Sequence, residues 1–72
     1  MNETAEKQYA PHQQRVVDEA NELREKFLKL DAFVLDNPIY KKLEKEEQKD
    51  LKLQRTHMEQ YMLVLERRIS RF

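Results

Sequence analysis

Seventy-two residues without a cysteine or a glycine make one small domain, residues 1–72, with no disulfide to staple it and no P-loop, dinucleotide fingerprint or EF-hand turn. Fourteen acidic and fourteen basic side chains cancel, which argues against a duplex-binding protein, because phosphate neutralisation supplies most of such a protein's affinity. The longest apolar run, Tyr61-Met62-Leu63-Val64-Leu65, is far too short to span a membrane, and no basic start followed by an apolar stretch marks a signal peptide. A chain lacking cysteine suits a reducing cytoplasm.

Residues 1–10 form an N-terminal segment, polar up to Gln8 and readable as a frayed end or a short helical turn, punctuated by Tyr9-Ala10-Pro11. Proline loses no hydrogen bond in a first helical turn and pre-sets φ, so a first long helix is predicted over residues 11–35. Its apolar positions Val16, Ala20, Leu23, Phe27, Leu30 and Val34 step by four and three, which places them on one helical stripe. Asp18 and Glu19 near its start, with Lys26 and Lys29 nearer its end, match the macrodipole. Glu22 with Lys26, and Glu25 with Lys29, have the favourable i,i+4 order.

Asp36-Asn37-Pro38 breaks the pattern, with Asn37 able to cap a following helix that has Pro38 at its first position. So short a connection folds the two arms into an antiparallel helical hairpin. Residues 41–50 are nearly all charged, with Leu43 as the apolar exception. The apolar register does not carry from Tyr40 and Leu43 to Leu51, so the second arm, residues 38–72, is expected to kink near residues 43–46. Beyond it runs a second seam of Leu51, Met58, Met62, Leu65, Ile69 and Phe72, interrupted by Arg55.

The expected fold class is all-α: a short N-terminal segment or helix, then an antiparallel hairpin with a kinked second helix, assembled as a homo-oligomer. The apolar turn at residues 61–65 motivates the assembly. Met62 and Leu65 belong to the seam, whereas Leu63 and Val64 face elsewhere and need their own cover.

Catalytic patterns are missing. Ser70 is the chain's only serine, and His12 and His57 lie too far apart for a paired metal-ligand spacing. Glu46-Glu47 sits in a run of charge and reads as a solvated face. No enzyme, metal or cofactor is expected. A small anionic ligand remains compatible with zero net charge, since it needs only local donors. Arg67, Arg68 and Arg71 have no acid at i−3 or i−4, so they either complement the helix C-terminus or meet acids or an anion from outside. Guanidinium groups suit phosphates, and symmetric assembly would multiply them. Tyr9, held by Pro11 and followed by His12, either packs the N-terminus onto the helices or stacks on a base. Lys26 flanks the first seam and either pairs with Glu22 or serves a ligand.

The run Pro11-His12-Gln13-Gln14-Arg15-Val16-Val17-Asp18-Glu19, then Leu23, Lys26, Lys29-Leu30 and Ala32-Phe33, followed by Gln54, Met58, Tyr61, Leu65 and Arg68-Ile69, is distinctive. Over residues 9–72 it resembles the small phage anti-CBASS cyclic-nucleotide sponges. That resemblance implies a helical protomer with a short N-terminal helix and two longer ones, assembling as a hexamer in the host cytoplasm. It implies binding, without cleavage, of the cyclic di- and trinucleotides made by host immune synthases, which keeps the CBASS effector silent. In that family a tyrosine near the N-terminus and a lysine of the first long helix hold dinucleotides; Tyr9 and Lys26 match, with Arg24 competing for the basic role. A late arginine serves the trinucleotide, a part that either Arg67 or Arg68 fits. Two other classes stay open: a helical adaptor blocking a host protein through its apolar faces, and a nucleic-acid-binding oligomer, which the zero net charge disfavours.

Overall fold

The structure, a computed structural model, describes residues 8–72 and contains three helices: α1 Pro11–Asp36, α2 Pro38–Lys42 and α3 Lys45–Ser70. Among the described residues there is no strand. Most of the N-terminal segment lies outside the described residues; Gln8, Tyr9 and Ala10 precede α1 and are not helical.

Helix α1 begins where Ala10 is extended and Pro11 takes the first helical position. Gln13 reaches back so that its Oε1 accepts the Ala10 N–H at 2.9 Å, satisfying a donor the helix itself cannot. The expected macrodipole match is not what the fold uses: α1 has no acid in its first turn and no base in its last. Asp18, Glu19, Lys26 and Lys29 stand too far from the ends, and the effect dies within one turn. Neither Glu22–Lys26 nor Glu25–Lys29 closes as an ion pair.

Proline at 38 excludes the helical conformation from Asn37, which is extended and ends α1. The same asparagine then caps α2, its Oδ1 accepting the Ile39 N–H at 2.9 Å. A second interruption falls at Leu43 and Glu44, both extended. Neither is a helix breaker, so the cause is tertiary. Gln48 turns its amide back to donate to the Leu43 carbonyl at 2.9 Å, and the Tyr40 hydroxyl donates to the Gln48 carbonyl at 3.1 Å. Tyr40 is buried and meets Phe33 of α1 edge-on, with ring centroids 6.1 Å apart. Orphan carbonyls at the end of α2 are thus satisfied by the first turns of α3. Helix α3 carries Glu46 and Glu47 in its first turn and Arg67 and Arg68 in its last, so here the charges do oppose the dipole.

The two long helices are antiparallel: Tyr9 meets Phe72, Arg24 meets Glu66 and Asp31 meets Arg55. Their seams face each other. Val16, Ala20, Leu23 and Leu65 are buried together, with Met58, Met62, Ile69 and Phe72 packed against them. The molecule measures 49 × 23 × 15 Å, and its radius of gyration of 16.2 Å exceeds the roughly 11 Å of a compact domain this size. A thickness of 15 Å leaves no room for a third layer. The outer face of α3 is therefore open, with Leu63 and Val64 exposed at 45% and 42%, and Tyr61 on its flank is exposed at 44%.

Candidate functional site

The sequence points to two groups of residues, and the fold separates them. Tyr9, Pro11 and His12 stand at the start of α1, and Arg67 and Arg68 in the last turn of α3. Antiparallel packing brings both sets to one end of the hairpin. The joint is aromatic: Tyr9 and Phe72 meet edge-on with centroids 6.0 Å apart. Tyr9 thus packs the residues just before α1 onto the end of α3. Arg67, Arg68 and His12 are exposed, and none of the three side chains is engaged in an ion pair.

Lys26 is far from this end. It sits about four turns along α1 from Pro11, roughly 22 Å at 1.5 Å per residue. A single small ligand cannot reach Tyr9 and Lys26 of the same protomer; a site using both must join two subunits. Arg24, the competing base, is already occupied. Its guanidinium meets Glu66 of α3 at 3.3 Å and Asn21 at 3.1 Å. Lys26 has neither an ion pair nor a hydrogen bond to its side chain. Of the two bases, Lys26 is the one with its charge uncommitted.

Helical geometry sorts the remaining groups by flank. At about 100° per residue, Arg24 and Asp31 lie on one flank of the α1 seam, and Glu66 and Arg55 on the facing flank of α3. Both ion pairs accordingly close the same side of the hairpin. Lys26 falls on the other flank of α1, together with Arg15; Tyr61 and Arg68 fall on the other flank of α3. Arg67 is turned about 100° from Arg68 and shares the outer face of α3 with Leu53, Val64 and Arg71. The two adjacent arginines therefore serve different surfaces.

A third feature escaped the sequence. An open groove of about 540 Å³ lies at the α1–α2 elbow, lined by Lys29, Ala32, Phe33, Asp36, Asn37 and Pro38. Its volume is that of a ligand cleft, but Asp36 opposes an anion and none of the predicted site residues lines it. Only the Asp36-Asn37-Pro38 break gave any hint of a surface there. Among the described residues, no group of acids and histidines is arranged to hold a metal ion, and no helix is long and apolar enough to cross a membrane.

The sequence model of one protein family, described as Sequestin, matches residues 10–71. Neither a curated protein nor a solved structure matches the chain.

Proposed function

The chain belongs to the Sequestin family, consistent with the phage anti-CBASS sponges it resembles, and on that premise we propose that it sequesters cyclic di- and trinucleotides without cleaving them. It acts in the host cytoplasm, removing the messenger before the CBASS effector can respond. The observation that carries this reading is the extent of the family match, residues 10–71, because it covers both seams except Phe72 and every proposed ligand contact but Tyr9. The family's name speaks of sequestration, and the nucleotide is what the resemblance to the phage sponges implies. Permanently charged guanidinium groups at Arg67 and Arg68, the uncommitted ammonium of Lys26 and exposed aromatic surface are the donors and platforms a phosphodiester-linked base needs.

The protein works as a homo-oligomer, a hexamer in keeping with the family it resembles. Two observations support assembly. The sides of α3 turned away from α1 expose Leu63 and Val64, and a dinucleotide pocket that uses both Tyr9 and Lys26 draws them from two subunits. Arg67 shares the outer face with Val64, so subunits covering it bring several guanidinium groups together, as a trinucleotide site needs.

A helical adaptor is the second reading. It is favoured by the apolar side chains left open elsewhere, Leu28, Leu35 and Ile39, each exposed by more than half. Incubation with a cyclic dinucleotide, denaturation and chromatography separate the readings from each other and from catalysis. Ligand retained by the native protein and recovered intact supports sequestration. Linear product would make the protein an enzyme, and no retention would leave the adaptor.

A further inference from the structure

Tyr9 is the aromatic residue that the family resemblance pairs with Lys26, yet within one protomer the helix register sets a different aromatic residue, Tyr61, at the level of Lys26. The two inter-helix ion pairs fix the register: Arg24 lies opposite Glu66, and Asp31 opposite Arg55. Lys26 falls between them, at the level of the α3 turn that carries Tyr61. Both residues are exposed, and both lie on the flank that neither ion pair closes. Axes of packed helices run about 8–10 Å apart, so Lys26 and Tyr61 stand on neighbouring helices, at one level of one flank. Other groups on this flank are Arg15 and Arg68 towards one end, Gln54 and Asp50 towards the other, His57 a turn beyond Tyr61, and Glu19 and Glu22 below Lys26. Neither glutamate forms an ion pair with Lys26.

We propose that Lys26 and Tyr61 of a single protomer form one nucleotide subsite, in which Lys26 holds a phosphodiester and Tyr61 stacks on the base attached to it. The inference rests on the cyclic-nucleotide reading above and assigns a residue to it. Tyr61 is the specificity-bearing platform inside the protomer, and Tyr9 completes the pocket from a neighbouring subunit. Two other aromatic residues, both half-buried, are poorer partners for Lys26. Tyr9 is four turns away, and Phe33 is turned against Tyr40.

Calorimetric titration with cyclic di-AMP and cyclic GMP–AMP tests the assignment on the full chain, with sedimented mass recorded for each variant. Tyr61→Phe keeps the ring and should bind like the unaltered protein. Tyr61→Leu keeps apolar bulk for packing but lacks a π face, and should weaken binding roughly 5- to 150-fold, the effect of losing one stacked base. Combined with Lys26→Gln, its effect should be less than the product of the two single losses, because both residues hold one nucleotide. Equal affinity of Tyr61→Leu and the unaltered protein, at unchanged mass, overturns the subsite. If Tyr61→Leu fails to assemble, the ring-proton resonances of Tyr61 in the unaltered protein decide. Upfield movement on adding ligand supports stacking, and unmoved resonances overturn it. No binding of either probe by the unaltered protein would overturn the cyclic-dinucleotide reading itself, which separates the two failures.

Discussion

Arg55 stands where the α3 seam should be apolar, and Asp31 meets it from α1, with Nη1 donating to Oδ1 at 3.0 Å. The pair is only partly exposed, at 26% and 33% of side-chain surface. It closes one side of the hairpin beyond the buried cluster around Leu65. A partly buried charged pair at the edge of the seam fixes register, because a slip of the helices would leave both groups without a partner.

Replacing Arg55 by Ala strands the Asp31 carboxylate, and Asp31→Ala strands the guanidinium. Each should cost about 1–2 kcal/mol, between the value of an exposed pair and that of a charge-assisted hydrogen bond. A double-mutant cycle in urea should return a coupling of about 1 kcal/mol. Strict additivity would mean that the pair is incidental.

Among the described residues Leu65 is the most buried side chain, 1% exposed, and its neighbour Val64 is its opposite in role. Leu65→Ala should destabilise by about 2–5 kcal/mol, enough to unfold a domain of marginal size, read as a lost or lowered thermal transition. Val64→Asp leaves that cluster alone and should act on assembly instead. Its sedimented mass should fall towards the 8.9 kDa of one chain. An unchanged mass would remove the outer face of α3 from any interface.

The joint between α2 and α3 gives a smaller, local prediction. Tyr40→Phe removes the donor to the Gln48 carbonyl while keeping the edge-on contact with Phe33, and should cost about 0.5–1.5 kcal/mol. Amide exchange should accelerate at residues 43–48 and remain slow at Leu65. Uniform acceleration would mean that the joint is part of the global fold.

How far the sequence discloses the fold depends on the range of each interaction. Both seams are legible because a 4-3 rhythm belongs to a single helix and needs no partner to be recognised. Asn37-Pro38 is legible because cap and proline act on their own backbone. The cause of the interruption at Leu43 and Glu44 is hidden, since it lies in Gln48 and Tyr40 reaching across the joint. Hidden too is the commitment of Arg24, whose acid stands 42 residues away. For the candidate site, residue types can be read from the chain, but distance cannot. Tyr9 and Lys26 look like members of one pocket until α1 places about four turns between them.

Those distances shape the selectivity expected of the ligand contacts. Tyr9→Ala and Lys26→Ala should each weaken dinucleotide binding, by about 1–3 kcal/mol for the ring and about 1.5–3 for the charged contact, and leave trinucleotide binding largely intact. Arg67→Ala or Arg68→Ala should do the reverse, and by more than a single contact, because symmetry removes several guanidinium groups together. Arg67→Ala should have the larger effect, since Arg67 shares the open outer face with Val64. Equal losses for both ligands in an oligomer of unchanged mass would reduce the two sites to one.

Sequestration itself is tested most directly by calorimetric titration of the full chain with a panel of cyclic di- and trinucleotides beside their linear dinucleotide counterparts. Saturable binding of the cyclic compounds, with less than one ligand per chain because subunits share each site, and little heat from the linear ones, is the predicted result. Absence of binding across the whole cyclic panel, by a protein that remains folded and assembled, would contradict it.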